Sequence, residues 1–526
     1  MVQDGQVTLL SKGSFWMYLT QAVHRAVQQD PHALLTICGA RSRTARESVE
    51  RIARLAGGLR ALGSAPGDRV ALLGPNSDRY HECLLAVPWA DGVVVPLNSR
   101  WIAVEVGYAL RDSGATILLI DEAHAAMITA LREYAPGVRA VLVLGDGEPP
   151  AGTIGYEELI AGTPALDDSR RGGDDLFGIF YTGGTTGRSK GVLLTHANIT
   201  ASALGCLATG QFITAGGRLL HAAPMFHLAD LATWVALLIA GGTHVIVPGF
   251  TPAGVLSAIA EHQVTDVLLV PTMIQLLVDF PQAGRFDVSS LKHLVYGGSP
   301  MTPAVLARAR NAFPAAGFVQ AYGMTELAPV ATLLLPADHE IPELARSAGR
   351  AAPHCELRIV DPDGTELPRR AVGEIVARGE HVMPGYWQRP EESATALRGG
   401  WMHTGDAGFM DDRGYLYVVD RIKDVIITGG ENVYSAEVEG VLSAHPAVAA
   451  CAVIGLPDER WDERVHAVVV PAAGTSATPG ELREFCQLRL AGYKVPRAVE
   501  IVGALPISAA GKVLKRQLRD ERRAMR

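Results

Sequence analysis

A segment rich in glycine and threonine between residues 181 and 191 has the composition of a phosphate-binding loop. It reads Tyr181-Thr-Gly-Gly-Thr-Thr-Gly-Arg-Ser-Lys-Gly191 and follows the apolar run 176–180. Glycines let backbone N–H groups approach a polyphosphate, threonine hydroxyls can donate to its oxygens, and Lys190 adds positive charge. The segment lacks the Gly-Lys-Ser/Thr triplet that ends a Walker A loop, and an ordinary surface loop is the alternative. We interpret it as a polyphosphate cradle of another kind.

Six further segments follow this loop in chain order, and the seven together carry a family resemblance. They are Gln320-Ala-Tyr-Gly-Met-Thr-Glu326, Gly373-Glu-Ile-Val-Ala-Arg-Gly379, Trp401-Met-His-Thr-Gly-Asp406, Asp420-Arg-Ile-Lys-Asp424, Gly429-Gly-Glu-Asn-Val433 and Leu505-Pro-Ile-Ser-Ala-Ala-Gly-Lys512. The set resembles the signatures of the adenylate-forming superfamily, which includes acyl-CoA synthetases, adenylation domains and firefly luciferase. The resemblance spans essentially the whole chain and favours the fatty-acid or aryl-acid CoA ligase branch. It departs from the commonest pattern at Gly183, where serine is frequent.

The resemblance implies an ATP site. Glu326 would bind Mg²⁺, a hard cation that prefers carboxylate, water and phosphate oxygens, and Asp406 would accept both ribose hydroxyls. Tyr322 would stack on adenine, Arg421 would approach the ribose or a phosphate, and Thr185 would take part in catalysis. The other implied nucleotide-binding residues are Thr182, Gly183, Gly184, Thr186, Gly187, Lys190, Gly298, Ser299, Gln320, Ala321, Gly323 and Thr325. Each residue type is commonly structural when it stands alone, so these assignments depend on position within the motifs.

The C-terminal part of the chain is implied to serve two half-reactions. Lys512 would bridge the carboxylate and the α-phosphate, because a positioned ammonium stabilises charge as two anions combine. Gly429, Gly430 and Glu431 would form the coenzyme A segment. Lys423 falls at the position of the hinge about which the small domain rotates between the two steps.

The acid substrate would bind in an apolar pocket. His227, in Pro224-Met-Phe-His-Leu228, matches a position that guards the carboxylate pocket in the superfamily, and a partly buried core histidine is the alternative. By resemblance the lining comprises Trp234, Gly297, Leu327, Ala328, Pro329 and Val330, which favours a medium-chain or aromatic acid. Apolar pockets discriminate by only about 1 to 3 kcal/mol per methylene, so the lining does not identify the acid.

Two other functions stay open at this stage. The adenylate could pass to a carrier-protein thiol or to an amine instead of coenzyme A, although Gly429-Gly-Glu-Asn432 favours a coenzyme A ligase. The chain could also be a protein of a different functional class, a catalytically inactive sensor of nucleotides or acyl ligands. Retention of Lys190, Glu326, Asp406 and Lys512 together speaks against such a sensor.

The predicted secondary structure around these residues follows an α/β pattern. Short apolar runs at 70–73, 93–95 and 116–120 alternate with helical patterns, which predicts parallel strands covered by helices, and the alternation returns at 244–248, 266–270 and 293–296. Thr44-Ala-Arg-Glu47 and Thr478-Pro-Gly-Glu481 predict helix starts. We therefore expect a large domain, 1–420, with two αβα subdomains and a small β-barrel lobe. A hinge, 421–424, would join it to a smaller mobile α+β domain, 425–526.

Composition excludes several classes of protein. The 526 residues are 48% hydrophobic and 19% charged, which predicts a globular protein of more than one core. A formal charge of -8 argues against a nucleic-acid surface. The six cysteines are scattered without zinc spacing, and neither a signal peptide nor a stretch long enough to span a bilayer is evident. We expect a cytoplasmic enzyme that binds a carboxylic acid, ATP and coenzyme A without integral membrane association, and a homodimer is compatible with the sequence.

Overall fold

The computed structural model describes residues 17–182, 189–458, 460–507 and 513–524. Its strands in the first half of the chain are β1 Leu34–Cys38, β2 Arg41–Thr44, β3 Arg69–Leu73, β4 Val93–Pro96, β5 Ile117–Asp121, β6 Ala140–Leu144, β7 Ile154–Gly155, β8 Leu176–Thr182, β9 Lys190–Thr195, β10 Arg218–His221, β11 Thr243–Ile246 and β12 Asp266–Leu269. The later strands are β13 His293–Gly297, β14 Gly317–Tyr322, β15 Thr332–Leu334, β16 Arg350–Ala351, β17 Glu356–Val360, β18 Gly373–Arg378, β19 Gly385–Tyr386, β20 Met402–Met410, β21 Leu416–Arg421, β22 Ile426–Thr428, β23 Glu431–Val433, β24 Val448–Asp458, β25 Asp462–Pro471 and β26 Ala498–Ile501.

The helices lie between these strands. They are α1 Gln21–Gln29, α2 Ala45–Ala61, α3 Asp78–Trp89, α4 Ala103–Ser113, α5 Ile128–Tyr134, α6 Tyr156–Gly162, α7 His196–Leu207, α8 Leu228–Ala240, α9 Pro252–His262, α10 Pro271–Val278, α11 Pro303–Ala312, α12 Pro390–Ala396, α13 Ser435–Leu442, α14 Pro479–Gln487 and α15 Lys515–Ala524. The capping box predicted at Thr44 is confirmed, because its side chain accepts from the backbone of Glu47 while Glu47 accepts from the Thr44 backbone. The same arrangement starts α14 at Thr478 and Glu481.

Two large, mainly parallel sheets form the core of the N-terminal part. In the described residues the first has the order β19-β9-β8-β4-β3-β5-β6-β7, and the second has the order β16-β15-β14-β13-β12-β10-β11-β1-β2. All residues of β4 and of β12 are buried, as expected for strands covered by helices on both faces. Every residue of α3 is also buried. The two predicted αβα subdomains are therefore confirmed.

The β-rich lobe that follows residue 350 is an antiparallel sheet with the order β17-β18-β20-β21. Among the described residues its two outer strands do not pair with each other, so the lobe is an open sheet where a small barrel was expected. Closing a barrel requires strongly tilted and staggered strands, and four strands give little room for a filled interior. The lobe places Asp406 and Arg421 on adjacent strands.

The C-terminal part folds around its own sheet, with the order β23-β22-β25-β24 and β26 added parallel to β25. Helices α13 and α14 pack on it through a core that includes Val438, Leu442, Val453 and Leu482. This separate core confirms the predicted α+β domain. None of the helices that the structure describes has the length and apolarity needed to cross a bilayer.

Candidate active site

The first cluster of predicted site residues surrounds the Asp406 carboxylate. Asp406 and Arg421 are direct partners in the antiparallel pair β20–β21, so their side chains leave the same face of that sheet. The Nε atom of Arg421 lies 2.7 Å from Oδ1 of Asp406, and the Tyr322 hydroxyl donates to Oδ2 at 2.7 Å. Asp406 is only 5% exposed. Burial raises the pKa of Tyr322, and the nearby Asp406 carboxylate adds to that shift. The predicted ribose-binding carboxylate is thus held by an arginine and a tyrosine.

The second cluster surrounds Glu326, which lies in a one-turn 3₁₀ helix shortly after β14. The Tyr386 hydroxyl donates to Oε1 of Glu326 at 2.9 Å, and Glu326 is 6% exposed. Burial raises the pKa of Glu326, whereas the hydrogen bond from Tyr386 and the positive charges of Arg421 and Lys190 lower it. Because Arg421 also contacts Asp406, the two clusters belong to one site.

Lys190 joins this site from the hairpin β8–β9, where it is the register partner of Thr182. Its ammonium lies 4.9 Å from the centroid of the Tyr386 ring and forms an ion pair with Glu392. Strand β19, which carries Tyr386, pairs directly with β9. Tyr386 therefore contacts both the predicted metal-binding carboxylate and the predicted phosphate-binding lysine.

Several predicted site residues cannot be placed beside these clusters. Gly183, Gly184, Thr185, Thr186, Gly187 and Lys512 lie outside the described residues. Their roles stay predictions.

The segments predicted to flank adenine meet at the carboxyl ends of the parallel strands β13 and β14. Ligands of open α/β sheets bind at this edge. Gly297 and Ala321 are register partners, and a Cβ atom added at Gly297 would lie 2.2 Å from the Ala321 carbonyl oxygen. A Cβ atom at Gly323 would lie 1.9 Å from the Pro329 carbonyl oxygen. Gly298 has a φ of +79°, which favours glycine. The same edge also carries Ser299, Gln320 and Thr325.

The residues predicted for the acyl side have different environments. His227 caps the N-terminus of α8, where its Nδ1 accepts from the backbone N–H of Ala229 at 3.2 Å, and it is partly exposed. Trp234 has no exposed surface, and its indole N–H donates to Nδ1 of His81 at 2.9 Å. The structure thus gives Trp234 a buried polar partner, His81. Leu327, Ala328 and Val330 are buried, and Pro329 is partly exposed. The pocket assignment stays a prediction for all of them.

The predicted coenzyme A segment forms a hairpin turn. Gly429 and Gly430 connect β22 to β23 with φ values of +60° and +84°, conformations that non-glycine residues rarely adopt. A Cβ atom at Gly429 would lie 2.9 Å from the Trp461 ring, whereas one at Gly430 would meet no atom within 4 Å. Glu431 and Lys423 are exposed. The turn therefore presents bare backbone on one side and is covered by an indole ring on the other.

Sequence reasoning missed Tyr386 and Glu392 as parts of this site. Tyr386 is 60 residues from Glu326 in the chain, and no spacing rule connects the two. The signal that could have found it is the sequence Gly385-Tyr-Trp387, in which a partly exposed aromatic pair follows a glycine with a φ of +154°.

The α/β fold of two large sheets with a separate C-terminal domain, and the clustering of the residues predicted to bind ribose, phosphate and metal, agree with an adenylate-forming enzyme. Residues 23–387 match the family model described as "AMP-binding enzyme", and residues 437–512 match "AMP-binding enzyme C-terminal domain". The chain belongs to this AMP-binding enzyme family.

Individual relatives agree with this assignment. The chain is 45% identical over 496 residues to the feruloyl-CoA synthase of Amycolatopsis sp, covering 94% of this chain and 97% of that relative. It is 38% identical over 473 residues to the indoleacetate–CoA ligase of Aromatoleum aromaticum, covering 89% and 91%. The structure of the amide bond synthetase McbA from Marinactinospora thermotolerans matches with a TM-score of 0.86 at 34% identity, covering 96% and 99%. The predicted enzyme class is confirmed, and the protein is an AMP-forming acid–CoA ligase.

Proposed function

We propose that this ligase activates an aromatic carboxylic acid as its adenylate at the site formed by Glu326, Asp406 and Arg421. One observation carries the proposal. Arg421 forms an ion pair with Asp406 at 2.7 Å, and its positive charge also lowers the pKa of Glu326. The predicted ribose-binding and metal-binding carboxylates therefore share one arginine. A nucleotide placed with its ribose at Asp406 would direct its phosphates towards Glu326 and Lys190.

The residues present fit a magnesium ion bound together with the nucleotide. Within the described part of the chain, no three His, Cys, Asp or Glu side chains converge on a metal position. Mg²⁺ in nucleotide sites is commonly held by one or two carboxylates together with phosphate and water oxygens. Glu326 is a nearly buried carboxylate whose pKa is raised by burial, so a bound cation would relieve the cost of its ionised form. When bound, the ion would neutralise negative charge on the triphosphate.

The chemistry proceeds in two steps. A carboxylate oxygen of the acid forms a bond to the α-phosphorus of ATP while the bond to the bridging oxygen of the β-phosphate breaks, which gives acyl-AMP and pyrophosphate. The thiolate of coenzyme A then attacks the acyl carbon, and AMP leaves. Asp406, held by Tyr322 and Arg421, would fix the ribose, and Lys190 would attract the phosphates before either bond changes. Lys512 is proposed to stabilise the first step, and the Gly429-Gly430 turn to admit the thiol in the second.

The names of the relatives with the higher identities favour an aromatic acid over a fatty acid. The relatives named above are a feruloyl-CoA synthase at 45% identity and an indoleacetate–CoA ligase at 38% identity, and each of those names denotes an aromatic acid. The proposed wall formed by Leu327, Ala328 and Val330 is buried and apolar. An apolar wall of this kind suits an aromatic ring and an alkyl chain alike, so it agrees with the proposal without separating the two classes.

The test is a panel of aryl and straight-chain acids assayed for pyrophosphate release with ATP. Aromatic acids should give the higher kcat/KM, and acyl-CoA should form only when coenzyme A is present. A parallel arm that supplies a primary amine instead of coenzyme A tests amide formation, the activity named for the structural relative McbA. Higher kcat/KM for straight-chain acids would overturn the proposed substrate class.

A further inference from the structure

One turn of α4 packs against the hairpin β8–β9, which carries Lys190. Tyr108 and Asp112 stand four positions apart in this helix, so their side chains lie on the same face of it. Both residues are partly buried, and the Asp112 side chain is 14% exposed. The proposed mechanism uses neither residue.

The Asp112 carboxylate binds the first strand of the hairpin. The Tyr181 hydroxyl donates to Oδ2 of Asp112 at 2.7 Å. Burial and the hydrogen bond to Asp112 raise the pKa of Tyr181, so its hydroxyl keeps its proton and donates it. Tyr181 is the register partner of Gly191, and the next pair along the hairpin joins Thr182 to Lys190. Asp112 therefore fixes the hairpin one residue pair away from Lys190.

Tyr108 holds the second strand of the hairpin. Its hydroxyl lies 3.2 Å from the carbonyl oxygen of Ser189 and 3.4 Å from Oδ1 of Asp112. A hydroxyl has one proton to donate, so the two acceptors share it. Ser189 directly precedes Lys190 in the chain. The same helix face thus contacts both strands next to the lysine.

A third contact links this helix to the segment that follows β19. The indole N–H of Trp387 donates to the backbone carbonyl of Asp112, and the Trp387 backbone N–H donates to a carbonyl of β9, each at 2.8 Å. Trp387 directly follows Tyr386 in the chain. The Tyr386 hydroxyl donates to Glu326, and its ring contacts the Lys190 ammonium. The helix therefore also supports the strand that presents Tyr386.

Charged side chains extend the network to the Lys190 ammonium. One guanidinium nitrogen of Arg389 lies 3.6 Å from Oδ1 of Asp112, and its Nε lies 3.9 Å from Oε1 of Glu392. Glu392 in turn forms the ion pair with Lys190. These ion pairs are partly exposed, and such pairs contribute little to stability. The hydrogen bonds to the hairpin are therefore the stronger constraint on where Lys190 lies.

We propose that Asp112 and Tyr108 position Lys190 for the phosphates of ATP. Both residues act through the hairpin and not through contact with the nucleotide. A charged group that is misplaced by about 1 Å loses much of its effect on its target, so a supporting layer of hydrogen bonds matters for binding and catalysis. This inference rests on the proposed function and adds to it the residues that hold the predicted phosphate-binding lysine.

The first experiment removes one contact at a time. Asp112→Ala removes the carboxylate but keeps the backbone carbonyl that accepts from Trp387, and Tyr181→Phe removes only the hydroxyl. Each should lower kcat/KM for ATP by about five- to tenfold through a higher KM for ATP, with the KM for the acid changed by less than about twofold. Pyrophosphate release with ATP and acid varied independently measures both constants.

Tyr415→Phe is the matched control for Tyr181→Phe. The Tyr415 hydroxyl also donates to an aspartate, Oδ1 of Asp338, at 2.7 Å, but this pair joins the segment after β15 to the turn before β21. The control should leave the KM for ATP unchanged. Folded Asp112→Ala and Tyr181→Phe enzymes that match wild type, or that raise both KM values equally, would overturn the inference. A wild-type enzyme that activates no carboxylic acid would instead overturn the proposed function.

The second experiment is a double-mutant cycle with Lys190→Met, which separates positioning of the lysine from a general loosening of the fold. If Asp112 acts through Lys190, adding Asp112→Ala to Lys190→Met should lower kcat/KM for ATP by less than about a further twofold. The full five- to tenfold loss in that background, or wild-type ATP kinetics in Lys190→Met alone, would overturn the inference. Should Asp112→Ala fail to fold, Tyr108→Phe, which removes only the hydroxyl that reaches Ser189, replaces it in the cycle with the same expected results.

Discussion

Replacing Tyr386 by phenylalanine isolates one contact of the site. The substitution removes the hydroxyl that donates to Glu326 at 2.9 Å and keeps the ring that lies 4.9 Å from the Lys190 ammonium. Hydrogen bonds to charged groups contribute about 1.5 to 3 kcal/mol. Because Tyr386 is partly exposed, water can replace part of the bond, and we expect the lower end of that range. About 1.4 kcal/mol corresponds to a tenfold fall in kcat/KM for ATP.

Leucine at the same position extends the test, because it also removes the ring beneath Lys190. A cation–π contact at a partly exposed position contributes about 0.5 to 1 kcal/mol, so Tyr386→Leu should lose a further factor of about two to five. The assay is pyrophosphate release at saturating acid with ATP and Mg²⁺ varied independently. Tyr417→Phe is the control. It also removes a tyrosine hydroxyl, which donates to the backbone carbonyl of Glu343 over 3.2 Å and does not contact the site residues. A folded Tyr386→Phe enzyme with wild-type ATP and Mg²⁺ dependence would show that the Tyr386 hydroxyl does not support Glu326.

Four further predictions concern other parts of the enzyme. Asp406→Ala should raise the KM for ATP by tenfold or more and leave the KM for the acid nearly unchanged, because it removes the predicted ribose contact; equal changes in both constants in steady-state assays would contradict this. Lys512→Ala should slow adenylation by about a hundredfold, roughly 3 kcal/mol, while thioester formation from supplied acyl-AMP largely survives; loss of both half-reactions would count against it. Gly430→Trp should do the reverse and let acyl-AMP accumulate, whereas Gly430→Asn, which tolerates a positive φ, controls for backbone strain; unaltered thioester formation in the tryptophan variant would exclude the coenzyme A role. Burial lowers the pKa of His81 and of His381 to about 3, so the folded state excludes a proton that the unfolded chain binds near pH 6.5, and stability is lost as the pH falls from 6.5 towards 3. At pH 5.5 each of these two histidines should lower the free energy of unfolding by about 1.4 kcal/mol relative to pH 7.5. Urea unfolding at the two pH values measures this loss, and equal free energies of unfolding would contradict it.

The elements with strong local signals were predicted well. Short apolar runs predicted the buried parallel strands, and the capping boxes at Thr44 and Thr478 predicted the starts of two helices. Both signals are readable because they involve residues within a few positions of each other. The β-rich lobe was predicted less well. Its strands were indicated by turns and short apolar runs, but whether four strands close into a barrel depends on tilt and stagger, which no local pattern specifies.

The class of reaction could be predicted from the sequence motifs alone. Seven ordered motifs contain the carboxylates, lysines and glycines expected of an adenylate-forming enzyme. In the structure, a Cβ atom at Gly297 or Gly323 would clash with a backbone carbonyl oxygen. These residues are recognisable because their spacing within each motif is fixed by contacts between near neighbours.

The side chains that complete the site from distant parts of the chain could be identified only in the folded structure. Tyr386 reaches Glu326 because β19 pairs with β9, and Arg421 reaches Asp406 because β20 and β21 lie in register. Asp112 likewise reaches Tyr181 across 69 positions of the chain. Such contacts depend on how sheets and helices pack together, and packing is set by the whole hydrophobic core and not by the residues on either side of one position.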